Sequence, residues 1–524
     1  MTPKYYLTTP LYYVNSRPHI GHSYTNIAAD TLARFKRLEL GRENVLFLTG
    51  TDEHGQKIDR AAEAAGLPPQ EFTDKISQTF RDLWKTLAID YDDFIRTTEK
   101  RHVETVQKVW MRLNEKGQIY KHAYDGFYCV PCETFFTEGL LSDESGKKLC
   151  PECKRPVEKM QEDNYFLKIS SYQDWLIQSV KNADGKGFVI LPETRKNEVL
   201  GFLENNKLQD LCISRPKSRL SWGIPSPLSD DHVTYVWFDA LINYISACGW
   251  GGDGKRFDRW WPADVHIIGK DILRHHAVYW PVILHMLDVK PPRMIFAHGW
   301  WVQGGQKMSK SRGNVVDPVE IVKTYGVDPY RYFLLSEAPF GNDGTFSEEA
   351  LIDRFNTDLA NDLGNLLHRT LTMCEKYYSG GIPAGTALGC RNHLREGAEG
   401  LVPALAPLMN RLAFSEALDV IWKLVNAANK YIEEQAPWKL SKEGKADELG
   451  RVIVSLLEVI RAVAQAVWPF MPATAEAIWT QLGIQESLTK APFKEGMWGY
   501  FEKGGKVAKG APLFPRIETE KQRH

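Results

Sequence analysis

Residues 4–49 read KYYLTTPLYYVNSRPHIGHSYTNIAADTLARFKRLELGRENVLFLT. The opening part, Lys4–Val14, is aromatic and branched, which predicts a strand, and it breaks at Asn15-Ser16-Arg17-Pro18. A helix is predicted from about Ile20 to Leu40, with Ile27, Leu32 and Phe35 among its apolar positions and Gly41 as a C-terminal stop. Asn44–Thr49 (NVLFLT) is a short continuous apolar run, the pattern of a strand buried on both faces. Strand, helix and strand in this order give an α/β fold class with a parallel sheet.

Outward from this stretch the character of the chain changes twice. Between roughly 116 and 230 the periodicity fades, Lys and Glu become frequent, and two cysteine pairs occur, which reads as an insertion into the α/β domain. Strand-like runs resume at Thr234–Phe238, Val265–Ile268 and Met294–Ala297. From about 350 the pattern is helical: Leu359, Leu363, Leu366 and Leu367 share one face, and further helices are predicted near 412–434 and 447–468. A Gly-, Lys- and Pro-containing tail from about 490 is expected to lie over the surface.

The composition of the 524 residues, 43% hydrophobic and 25% charged, excludes a fibrous chain, a wholly disordered chain and a disulfide-stapled mini-protein. Lys+Arg 65 against Asp+Glu 66 leaves a net charge of -1, so any nucleic-acid surface must be local. The opening MTPKYYLTTP has no charged start followed by an apolar core, and no run of 18 apolar residues occurs. A cytoplasmic chain without a membrane partner is expected.

Cys129-x2-Cys132-x17-Cys150-x2-Cys153 falls within the spacing window of a four-cysteine zinc site. Four thiolates leave no open coordination position, so one structural Zn²⁺ is expected. A thioredoxin-like redox reading fails because there are two pairs and no suitable strand-helix setting. Cys212, Cys248, Cys374 and Cys390 are scattered and are expected to be buried or half-buried thiols.

Two segments have the chemistry to handle phosphate. His19-Ile20-Gly21-His22 stands where the first helix begins, so unpaired N–H groups and the positive dipole end face outward. Gly21 removes a side chain and lets a base or phosphate approach the backbone. Lys307-Met308-Ser309-Lys310-Ser311 lies between Gly304-Gly305 and Gly313, and its lysines can reach phosphate oxygens as point charges. Taken singly, the first reads more readily as two surface histidines at a helix cap and the second as a solvated basic loop.

Together the two segments match, letter for letter, the HIGH and KMSKS signatures of class I aminoacyl-tRNA synthetases. The stretches Thr8–Asn15 (TTPLYYVN), Thr49–Ile58 (TGTDEHGQKI), Tyr235–Tyr244 (YVWFDALINY) and Gly269–Pro281 (GKDILRHHAVYWP) resemble the methionyl-tRNA synthetase family, and the likeness runs to near the C-terminus. The one modest insertion is too short for the editing domain of the isoleucyl, leucyl and valyl enzymes. Cysteinyl enzymes hold an active-site metal through scattered ligands, unlike the paired cysteines here. The resemblance implies a Rossmann-like parallel-sheet catalytic domain with a zinc-knuckle insertion, followed by an α-helical anticodon-binding bundle. The expected organisation is 1–115 for the first half of the catalytic domain, 116–230 for the connective insertion and 231–295 for the second half. A KMSKS-loop linker at 296–350, a helical anticodon-binding domain at 351–490 and a tail at 491–524 complete it.

By the same resemblance Leu11, Tyr13, Trp237, Ile272, His276 and Trp280 line a pocket for the methionine side chain, and Asp52 takes the substrate ammonium. A thioether beside aromatic rings gains about 0.3–1.5 kcal/mol per contact, and His276 or the Tyr13 hydroxyl could touch the sulfur. No role attaches to Tyr12. ATP-binding falls to His19, Gly21, His22, Lys307, Ser309 and Lys310, with His19, His22, Lys307 and Lys310 as the catalytic set and Mg²⁺ entering with ATP. In the helical half Asn361, Asn365 and Arg369 fall at i, i+4 and i+8. The resemblance makes Asn365, Arg369 and Trp438 readers of the CAU anticodon, Trp438 by stacking on a base. It implies attachment of L-methionine to tRNA(Met), including initiator tRNA, through an adenylate, and a monomer is expected. A small-molecule nucleotidyltransferase would share the HIGH turn but not need the helical half. A non-catalytic RNA-binding module would have no use for Lys307–Ser311.

Overall fold

The computed structural model describes the chain apart from residues 1–2, 131–133, 137, 145–146, 152, 183–184, 304–305, 308–315, 388, 390–391, 492, 494–497 and 519–524. It divides into two compact units, one of Met1–Ala29 and Val45–His298, the other of Asp30–Asn44 and Gly299–His524.

The first unit is built on a sheet in the order Val189–Leu191, Met294–His298, Val265–Gly269, Tyr5–Thr8, Val45–Asp52, Tyr12–Tyr13, with Asp93–Arg96 also paired to Val45–Asp52. Every pairing is parallel. All of Val45–Asp52 is buried, as its unbroken apolar run requires of a central parallel strand. Lys4–Val14 is two strands, not the single one its composition suggests. Thr9 N still donates to Leu48 O at 3.0 Å, but Pro10 has no N–H to give, and pairing resumes only at Tyr12↔Thr51 and Tyr13↔Asp52. The helix Ile20–Leu40 stands as expected.

Thr234–Phe238 departs from the strand reading. The strand His232–Thr234 ends there, and Val236–Leu241 is a helix whose first turn closes with Asp239 N on Tyr235 O at 3.0 Å. Here Val236, Phe238, Ala240 and Leu241 are all buried, and packing overrides propensity. Within 116–230, Ile119–Cys129 and Glu158–Leu167 form a long antiparallel ribbon, while Val189–Leu191 supplies an edge strand of the parallel sheet.

The second unit is mostly helical, with helices at Pro318–Tyr325, Val327–Ser336, Glu348–Arg354, Asn365–Tyr378, Phe414–Gln435, Ala446–Val467 and Pro472–Gln481. His393–Asn410 is a further helix that sequence reading missed, because Pro403 and Pro407 lie inside it. Each proline removes an N–H donor and should break the helix. Burial of Leu394, Ala398, Leu401, Val402, Leu405 and Met409 on one face outweighs that cost. Leu359, Leu363, Leu366 and Leu367 are buried as the leucine face predicts. The tail does more than cover the surface: Phe501, Val507 and Phe514 are buried, and Asn356 bonds both the N–H and the carbonyl of Ile517 at 2.9 Å. Among the described residues no helix is long and apolar enough to cross a membrane.

Candidate active site

The C-terminal ends of parallel strands are where open α/β sheets bind ligands, and the candidate residues of the first unit gather there. His19 caps the helix Ile20–Leu40: its Nδ1 accepts from Gly21 N at 3.1 Å, and its own N–H donates to His22 Nδ1 at 3.1 Å. The two imidazoles lie 4.0 Å apart, centre to centre. A Cβ at Gly21 would stand 3.0 Å from His19 Cε1, so this glycine makes room for the His19 ring itself. Tyr12, to which no role was attached, supports the turn. Its ring packs on His22 (5.1 Å) and Phe80 (5.6 Å), and its hydroxyl accepts from Asn26 Nδ2 at 2.7 Å.

Tyr13 and Asp52 are register partners on adjacent strands, which puts the candidate ammonium partner beside a pocket wall. Leu11, Tyr13, Trp237 and Ile272 are partly buried and pack against one core cluster that contains Trp280. His276 Nδ1 lies 2.9 Å from Ile272 O and must donate to it, so a neutral ring presents Nε2 as the acceptor for the Tyr244 hydroxyl at 2.8 Å. Burial pushes the His276 imidazole down to about 4, which keeps it neutral. His266 works the same way. Trp280 Nε1 donates to its Nε2 at 3.2 Å, its Nδ1 donates to Thr8 Oγ1 at 2.8 Å, and burial holds it far below the ordinary histidine range. Tyr244 stacks on His266 at 4.1 Å. Neutral imidazoles thus orient Trp280 and Tyr244, and the wall they form suits an uncharged, polarizable side chain.

The turn after the central strand is held from both sides. Glu53, wholly buried, takes two bonds from Arg96 (2.7 and 2.9 Å) and one each from Thr51 (2.7 Å) and Thr98 (2.6 Å). His54 Nδ1 lies 2.7 Å from Asp239 Oδ2. Burial alone would raise the Asp239 carboxyl, but the charges and hydrogen bonds of His54 and His102 outweigh it and hold the carboxyl below its usual range. Sequence reasoning missed Tyr244 and Asp239. The signal for the second was available: a lone carboxylate in the apolar run Val236–Ile242 needs a buried partner.

The remaining candidates are placed in part. Gln306–Lys307 is a short strand on Trp301–Gln303, while Met308, Ser309, Lys310 and Ser311 lie outside the described residues. Cys129, Cys150 and Cys153 bring their sulfurs within 4.8 Å of one another, with Cys129 and Cys153 at 3.5 Å. That is too far for a disulfide bond, and close to the roughly 3.8 Å between thiolates sharing a tetrahedral zinc at ~2.3 Å. The donor set fits such an ion; Cys132 lies outside the described residues. Cys212, Cys248 and Cys374 are buried thiols as expected, and Cys390 is not described.

In the second unit Arg369 is ion-paired with Glu433 at 2.6 Å, in the last turn of Phe414–Gln435. Trp438 follows in the first turn of Pro437–Lys442 and is exposed. Asn365 is exposed on Asn365–Tyr378. Asn361, four positions before Asn365, is also exposed, near the end of the π-helical segment Phe355–Gly364.

The family model described as tRNA synthetases class I (M) matches residues 5–371, and one described as the anticodon-binding domain of tRNA ligase matches 398–508. The methionine–tRNA ligase of Caldanaerobacter subterraneus subsp. tengcongensis is 49% identical over 100% of this chain and 80% of its own length. That of Bacillus subtilis is 44% identical over 99% of the chain and 78% of its own length. The structure of Mycobacterium tuberculosis methionyl-tRNA synthetase with methionyl-adenylate is similar at a TM-score of 0.92 and 41% identity, covering 98% of this chain and 100% of that one. The chain belongs to the class I methionyl-tRNA synthetases. As a member of that family it is a methionine–tRNA ligase.

Proposed function

We propose that the chain activates L-methionine with ATP and transfers it to tRNA(Met), elongator and initiator alike, through a methionyl-adenylate like the one bound to its mycobacterial relative. The methionine carboxylate oxygen attacks the α-phosphorus of ATP, the bond to the bridging oxygen breaks, and pyrophosphate leaves. A ribose hydroxyl of the terminal adenosine then attacks the acyl carbon, and AMP leaves. No side chain acts as nucleophile, so the protein contributes position and charge. Asp52 holds the ammonium, and Leu11, Tyr13, Trp237, Ile272 and Trp280 enclose the side chain. His276, whose Nε2 is already engaged by Tyr244, sets the polarity of the pocket floor. His19 and His22 hold the phosphate region at the helix start, and Gly21 keeps their rings in place. Lys307, Ser309 and Lys310 serve the leaving pyrophosphate, whose Mg²⁺ arrives with ATP.

Cys129, Cys132, Cys150 and Cys153 would hold one Zn²⁺, which ties the polar insertion together when bound. Asn365, Arg369 and Trp438 read the anticodon, and the Arg369–Glu433 pair opens when a base takes the guanidinium. The six-segment organisation from 1–115 to 491–524, a monomeric state and a cytoplasmic setting complete the reading. What supports it is the pairing of Tyr13 with Asp52 on adjacent strands and the packing of Leu11, Tyr13, Trp237 and Ile272 against the core cluster that contains Trp280. ATP–pyrophosphate exchange without tRNA, run against all twenty amino acids, tests it. Exchange driven by methionine alone is expected, and exchange driven by another amino acid refutes the pocket.

A further inference from the structure

Asp239 is wholly buried, and it is bonded at both oxygens. His54 reaches Oδ2 at 2.7 Å and His102 reaches Oδ1 at 2.6 Å, and an ionised carboxylate can only accept, so both facing ring nitrogens carry hydrogen. His102 Nδ1 in turn lies 3.0 Å from Ser246 Oγ, which is itself 3.0 Å from Ile242 O. Burying a carboxylate in this way is costly, and an apolar residue of similar size would serve stability as well or better. The arrangement therefore calls for another explanation, and the segments it joins supply one.

His54 is two residues beyond Asp52, on the turn that leaves the central strand. Asp239 is two residues beyond Trp237, on the helix Val236–Leu241. His102 stands in the first turn of the helix Lys100–Glu115. One carboxylate thus ties the turn bearing the ammonium partner to the helix bearing an aromatic wall, and braces both against a third element. The opposite side of the turn is already clamped through Glu53 and Arg96. Trp222 adds to the brace: its Nε1 donates to Glu53 O at 2.6 Å and its ring packs on His54 at 5.3 Å.

We infer that Asp239 is a positioning residue for methionine: it fixes the separation between Asp52 and Trp237, and so the distance the amino acid spans from ammonium to side chain. The inference rests on the reading that Asp52 binds the ammonium. Asp239→Asn keeps the size but removes one acceptor. The new amide NH₂ faces one of the two imidazole N–H groups, so that histidine must change tautomer or lose its bond, and the turn loosens.

The test is methionine-dependent ATP–pyrophosphate exchange by the full chain, with methionine and ATP titrated separately for wild type, Asp239→Asn, His54→Gln, the double variant and Asp52→Asn. Circular dichroism confirms that each is folded. Expected is a methionine KM raised on the order of tenfold in Asp239→Asn and in His54→Gln, with the ATP KM and kcat changed far less. The double variant is expected to lose no more than the worse single one, because both substitutions break the same bond. If Asp239→Asn does not fold, His54→Gln, which leaves the His102 bond intact, carries the test. Methionine and ATP KM values rising together would mean a general structural role and would overturn the inference. An unchanged methionine KM in Asp239→Asn and His54→Gln while Asp52→Asn loses methionine would overturn it and leave the ammonium reading standing. No effect in Asp52→Asn would remove that reading, and the inference with it.

Discussion

His275 offers a substitution whose sign and pH dependence both follow from geometry. It is 6% exposed, its ring lies on Trp237 at 3.7 Å and 19°, and the edge of Tyr279 meets it at 5.5 Å. Its Nδ1 is buried with no hydrogen-bond partner among the described residues. Burial drives the imidazole well below its ordinary value of 6.5, and the charge of Arg274 pushes the same way. His275→Phe keeps a flat ring of similar shape on Trp237 and deletes the buried nitrogen. At pH 7.5, where the imidazole is neutral folded or unfolded, the variant is expected to be more stable by about 1–3 kcal/mol, the desolvation cost of an unsatisfied polar atom. As pH falls through 6.5 the unfolded wild-type chain takes up a proton that the folded one refuses. Wild-type stability is therefore whole above that pH and falls by about 1.4 kcal/mol per unit below it, while phenylalanine has nothing to titrate. Between pH 7.5 and pH 5.0 the advantage of the variant should widen by about 2 kcal/mol, or about 3–4 °C in the melting of a unit of this size. Thermal unfolding of both proteins followed by tryptophan fluorescence at the two pH values decides it. Parallel pH dependence would show that His275 is not held neutral, and a variant less stable at pH 7.5 would show that Nδ1 is satisfied after all.

Four further substitutions follow from the geometry. Gly50→Ala places a Cβ 1.9 Å from Ile95 O and 2.9 Å from Leu11 Cδ2, in the middle of the central strand, so methionine-dependent exchange and soluble yield should both collapse; a folded, active variant would contradict the packing. Arg331→Leu strips Asp30 of a fully buried partner at 2.7 Å and should cost about 3–5 kcal/mol, read as a lowered denaturation midpoint of the helical unit. Cys153→Ser should reduce zinc from one ion per chain toward none, measured by metal analysis of the purified protein, and an unchanged metal content would remove Cys153 from the ligand set. Trp438→Ala should raise the tRNA KM by about 10–100-fold, the worth of one stacked base, with the methionine KM in tRNA-free exchange as the internal reference; equal shifts in both would place Trp438 outside anticodon reading.

Much of the candidate site was open to sequence reading because its chemistry is local. A capped helix start carrying His19 and His22, or two turns carrying paired cysteines, needs only a few consecutive residues to declare itself. The long periodic helices declare themselves for the same reason: Phe414–Gln435 and Ala446–Val467 each present a stripe that repeats over several turns. What stayed hidden depends on residues far apart in the chain. Tyr244 acquires its role only from an imidazole 32 positions later, and Asp239 from histidines 185 and 137 positions earlier. The strand reading of Thr234–Phe238 and the missed helix His393–Asn410 fail for a related reason, since in each case tertiary burial overrules what the residues prefer alone.

The distinction between what was visible and what was not has a chemical content. The visible residues are those we propose to face substrate, while the hidden ones (Tyr12, Tyr244, His266, Asp239 and Glu53) face other protein groups and hold the visible ones still. A pocket for a flexible thioether gains little from any single contact, so its selectivity must come from walls that do not yield. Two wall residues and the turn beside them are anchored by buried polar bonds: Trp280 by His266, His276 by Tyr244 and Ile272, and the Asp52 turn by Arg96 on one side and Asp239 on the other. Each anchor gives a modest net energy when made and costs more when broken. Substitutions in this hidden layer should therefore damage methionine recognition at distances where no contact with methionine exists, and they should do so through KM before kcat.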